Sequence, residues 1–112
     1  MFYVELDVFS GRPNPGWPLI SEEAEDLLAR ISRLAPDGGV GKLSTALGYR
    51  AFIVYRTVSG TPQRWLHVGR GVVRIAENYR IRHCGDTEGI EESLKQQAIA
   101  RGYGALIGNP AE

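Results

Sequence analysis

The run Ser10-Gly11-Arg12-Pro13-Asn14-Pro15-Gly16-Trp17-Pro18 brings a guanidinium, a carboxamide and an indole close together in the chain. Arg12 offers a planar fork of donors to a carboxylate or phosphate, and Asn14 both donates and accepts. Trp17 supplies an aromatic wall. Pro13 and Pro15 restrict the backbone on either side of Asn14, so a ligand held here costs little further ordering. The plainer use of this run is a strand-to-helix crossover in which Trp17 covers the end of the core. A passive crossover does not need such stiffness, so Arg12, Asn14 and Trp17 form the first candidate binding element.

The second candidate is a sheet face. Arg50, Phe52, Val54 and Arg56 alternate along one stretch, and Trp65 and His67 along the next. If the two stretches pair, these side chains share one face, and Glu5 and Asp7 join it from the outer side of the first strand. A carboxylate, an imidazole and arginines around an aromatic floor suit proton transfer on a small organic acid or ketone. Arginine and tryptophan on a sheet face also match the composition of a subunit interface. The interface is the expectation here: a homodimer in which the face carrying Arg50, Arg56 and His67 is buried together with Trp65 and Phe52, with a pocket at its margin.

Other familiar chemistries lack their residues. His83 and Cys84 are adjacent, and neighbours on a strand point to opposite faces, so His83 does not activate Cys84. One cysteine and two histidines without ligand spacing make no metal motif. Neither Gly-x-Gly-x-x-Gly nor the phosphate-loop pattern occurs, and Gly-x-Ser-x-Gly is likewise absent. No cofactor is expected.

Bulk properties narrow the partners. Thirteen basic residues balance thirteen acidic ones, which gives no net field to draw nucleic acid or an anionic membrane. The balance is uneven along the chain. Residues 47–83 carry seven arginines against Glu77 alone, between two acidic flanks. A lone Cys84, and no basic region followed by an apolar leader, point to the cytoplasm. The 112 residues are enough for a single α+β domain over 1–112.

The positioning elements follow from periodicity. Phe2, Val4, Leu6 and Val8 alternate with Tyr3, Glu5, Asp7 and Phe9, which predicts a strand over 2–9 with one buried face. Ser21 reads as an N-cap for a helix to about 35, with Ala24, Leu27, Leu28, Ile31 and Leu34 as its apolar stripe. Residues 49–58 and 63–68 predict a hairpin around Ser59-Gly60-Thr61-Pro62. Centring its turn on 60–61 sets Val54 opposite His67 and Tyr55 opposite Leu66. In that register the core face is Ala51, Ile53, Tyr55, Leu66 and Val68. Val72–Ile75 and Tyr79–His83 read as further short strands. Asp86 or Thr87 caps a helix over 88–101 with Ile90, Leu94 and Ala98 inward, and 105–107 reads as an edge strand.

This order predicts a two-layer antiparallel sheet with two helices on one face. The most economical topology is ferredoxin-like βαββαβ, and an antiparallel meander is the alternative. The functional expectation is a small homo-oligomeric binding module for a peptide or small anionic molecule. Its contacts are Arg12, Asn14, Trp17, Arg50, Arg56, Trp65 and His67. The alternative is a cofactor-free cyclase, isomerase or lyase using a carboxylate and His67.

Overall fold

The computed structural model describes residues 1–8, 13–35 and 51–107, so the candidates Arg12 and Arg50 lie outside the described residues. In chain order the elements are β1 (Phe2–Asp7), β2 (Gly16–Pro18), α1 (Ser21–Ser32), β3 (Ala51–Val58), β4 (Thr61–Gly69), β5 (Val72–Glu77), β6 (Arg80–Gly85) and α2 (Ile90–Ala100). A 3₁₀ turn over Gly104–Ile107 replaces the expected edge strand. The strands form one six-stranded sheet in the order β2-β1-β3-β4-β5-β6, with every pair antiparallel. The architecture is α+β.

The strand order is meander-like. A ferredoxin-like order would pair β1 with β4, but β1 pairs with β3, and β4 continues into β5. Three tight turns explain this. Ser59-Gly60, Arg70-Gly71 and Asn78-Tyr79 all have positive φ at both positions. That is the geometry of two-residue turns whose twist matches the flanking strands. Each turn returns the chain alongside the strand just made, so β3 to β6 lie in sequence order.

The first of these turns also corrects the expected hairpin register. With Ser59-Gly60 at the turn, Val58 pairs with Thr61 and Tyr55 with Arg64. A bulge then shifts the register, so that Val54 pairs with Leu66 and Ile53 with His67. Trp65 is the unpaired extra residue. The two faces of β3 are thereby exchanged relative to the expectation. Phe52 and Val54 enter the core, while Ile53 and Tyr55 face outward. Pro62 is tolerated inside β4 because β4 meets β5 only from Leu66 onward, so no ladder bond is lost on that side.

Both helices cover one face. Leu27 from α1, and Ile90, Leu94 and Ala98 from α2, join Val4, Leu6, Phe52, Val54, Leu66, Val68, Val73 and Ile75 in one buried cluster. Ser21 opens α1 as its first helical residue. Ile20 is the N-cap, and its amide donates to Glu23 Oε1 at 3.1 Å. At α2 the amides of Ile90 and Glu91 donate to the two carboxylate oxygens of Asp86 at 2.7 and 2.8 Å. This satisfies two orphan donors beside the positive end of the helix dipole. On the far side of β1, a Cβ at Gly16 would fall 2.6 Å from the carbonyl oxygen of Val4, so only glycine permits β2 to lie this close. No described helix is long and apolar enough to cross a membrane.

Candidate functional site: the outer sheet face

The sheet face turned away from both helices carries the polar chemistry. Following the pairings across the strands, Glu5, Ile53, His67, Arg74 and His83 stand in one transverse row. Tyr3, Tyr55 and Arg64 form the next row, and Asp7 lies two residues along β1 from Glu5. Both histidines of the protein therefore flank Arg74.

The carboxylates sit at the β1 end and are engaged there. Asn14 Nδ2 donates to Glu5 Oε2 at 2.8 Å and to Asp7 Oδ1 at 3.4 Å. Its own Oδ1 accepts from the Val8 amide at 3.1 Å. The Tyr55 hydroxyl donates to Glu5 Oε1 at 2.6 Å. Burial, the hydrogen bond to Glu5 and that carboxylate's charge raise the Tyr55 pKa, and Arg64 opposes them. Tyr55 remains a neutral donor at physiological pH.

His67 is pushed the other way. Burial is the largest cause; the charge of Arg74 and, to a lesser degree, that of Arg64 add to it, while Asp7 partly offsets them. The imidazole is thus neutral at pH 7. A histidine whose folded pKa lies below its unfolded value takes up its proton more readily in the unfolded chain. Its effect is absent well above pH 6.5 and becomes a loss of stability as pH falls through that value. Urea denaturation between pH 7.5 and 5 is expected to show stability falling with acidification, with a shallower slope in His67→Gln. Equal slopes in the two proteins would contradict this.

The sequence-derived candidates separate onto the two faces. Asn14 and His67 belong to the outer face. Trp17 is buried on the helix side, where its Nε1 donates to Gln97 Oε1 at 2.9 Å. Its ring stacks on Tyr103, meets Phe52 edge-on and lies under the Arg101 guanidinium. Trp65 is also buried there, packed on Phe2 with Arg56 5.2 Å from its ring centre. Arg56 in turn pairs with Glu77 at 3.3 Å. Phe52 is 0% and Trp65 4% exposed within one chain, so neither offers surface to the expected dimer interface. The bulge is the reason, because it turns Trp65 inward beside Leu66.

Tyr55, Arg64 and Arg74 are the members that sequence reasoning missed. Tyr55 was assigned to the core by the displaced register. Arg74 lies in β5, where the alternation of Val72, Arg74 and Ala76 against Val73 and Ile75 carried the signal. Cys84 is buried on the helix side while His83 faces outward, as strand alternation requires. Neither the known protein families, nor curated proteins, nor solved structures contain a match to this chain.

Proposed function

We propose that this protein is a binding module that takes a small anionic molecule on its outer sheet face, at His67, Arg74 and His83 with Arg64 alongside. One observation carries the reading. Arg74 stands between the two histidines on a face that neither described helix covers, and it makes no ion pair or hydrogen bond with another described residue. The carboxylates of the same face are occupied at the other end by Asn14 and Tyr55. An oxyanion beside Arg74 gains a charge-assisted contact, and each imidazole can donate to it when protonated.

A cofactor-free enzyme is the weaker reading. The arrangement considered for it sets His67 and a carboxylate together in one concave site. The small recess beside His67 is lined by Ile53, Arg64, Trp65, Leu66, Arg74 and Ala76, with no carboxylate among them.

The test is an NMR titration of the His67 ring against pH, with and without inorganic phosphate or succinate at constant ionic strength. A bound anion favours the imidazolium, so the His67 midpoint should move upward in its presence. Arg74→Gln should reduce that ligand-induced movement. An unmoved midpoint at tens of millimolar of either anion would reject the site.

A further inference from the structure

β6 is the last strand of the sheet, and its outer edge is unpaired among the described strands. The Asn78-Tyr79 turn is a two-residue hairpin, so Glu77 and Arg80, the pair that closes it, exchange both backbone hydrogen bonds. Alternation from that pair points the amides and carbonyls of Ile81 and His83 away from β5, along the free edge.

The side chains of this edge have two distinct sides. Arg80 and Arg82 are exposed on the helix side, at the mouth of a recess of about 600 Å³ that they line with Ile75, Glu77 and Asn78. Ile81, 55% exposed, lies on the outer side. Tyr79 is fully exposed at the adjoining turn despite a φ of 63°. Glu77 is the lone acid lining this recess, and it is shared with Arg56.

We infer that β6 accepts an extended acidic peptide segment as a seventh strand. The occupant follows from charge. Pairing β6 with β6 of a second copy would bring arginines against arginines, and like charges opposed across strands are destabilising. The same arginines attract a strand whose inward side chains are carboxylates. Backbone bonds at Ile81 and His83 supply affinity, and alternate side chains supply specificity. Residues opposite Arg80 and Arg82 must be acidic, and the residue between them, opposite Ile81, apolar. The required pattern is acid–apolar–acid.

A capped peptide of alternating glutamate and valine tests this against the intact protein. Binding is expected to slow amide hydrogen exchange at Ile81 and His83. N-methylation of the peptide at its edge-facing amides should abolish binding, and so report backbone pairing without altering the protein. The double variant Arg80→Glu, Arg82→Glu should weaken binding at least about tenfold, equivalent to about 1.4 kcal/mol. Inorganic phosphate at constant ionic strength, the probe of the outer-face site, should leave the peptide affinity unchanged, because the edge uses the backbone of His83 and the anion site its imidazole. The inference is overturned if exchange at Ile81 and His83 is unaffected at millimolar peptide. It fails equally if the N-methylated or a lysine–valine peptide binds as well, or if only an oligothymidylate binds.

Discussion

Replacing Trp17 by alanine is expected to remove about 3–5 kcal/mol of stability, the range for deleting a large buried aromatic. A chain of this size has only about 5–15 kcal/mol to lose. The ring is 3% exposed and joins β2 to β3, to α2 and to the segment that follows α2. Tyr103 follows α2, Phe52 is in β3, and Gln97 and Arg101 belong to α2 and its C-cap. Truncation leaves a cavity among them and an unpaired Gln97 carboxamide. Urea denaturation followed by far-ultraviolet circular dichroism measures the loss. Trp17→Phe should be milder, since it keeps the packing and gives up the indole donor. A change below about 1 kcal/mol in Trp17→Ala, the size of an ordinary surface effect, would refute the buried role.

The second large effect is expected at Asn14, where aspartate has nearly the same shape and the opposite consequence. Asn14 Nδ2 is a donor shared by Glu5 and Asp7. Asn14→Asp removes that donor, costing about 1.5–3 kcal/mol for hydrogen bonding to a charged group, and adds a third carboxylate beside the other two. Like charges this close raise one member's affinity for a proton. A carboxyl whose folded pKa is raised binds its proton in the native state first, so stability recovers as pH falls through that pKa. The variant should therefore be much weaker than wild type at pH 7 and approach it on acidification. The His67 contribution slopes the other way, which makes the crossing easy to recognise. A loss in Asn14→Asp that is constant from pH 7.5 to 5 would show that charge repulsion is not its origin.

The legible parts of this fold were those that local pattern decides. Val4 and Leu6 against Glu5 and Asp7 gave β1 both of its faces, and Ile90, Leu94 and Ala98 are the buried side of α2. The β3–β4 register was not decided locally. Ser59-Gly60 and Gly60-Thr61 both look like turn centres, and choosing between them moves every partner by two positions. The bulge at Trp65 then changes the parity itself, which no alternation count reveals because it interrupts the alternation. The site was legible in the same measure. Alternation alone puts His67 on the outer side, where the structure has it, whereas the place of the loop residue Asn14 beside Glu5 and Asp7, like those of Tyr55 and Arg74, depended on pairing. β2 went unread because Gly16-Trp17-Pro18 has the composition of a loop, and it survives as a strand at the sheet's edge, where proline is admissible.

The burial of both tryptophans on the helix side has an optical consequence. Trp17 and Trp65 are the protein's full complement of indoles, and neither side chain lies on the outer face. Intrinsic fluorescence therefore reports the core: emission shifts to the red when the chain unfolds and the rings meet water. A small anion at Arg74 meets the recess that Trp65 helps to line, and a strand laid along β6 lies further off; neither brings a buried ring into water, so the emission is expected to change little. Binding at either place has to be followed through magnetic resonance, calorimetry or an extrinsic label, and the tryptophans then serve as an independent gauge that the fold is intact throughout the titration.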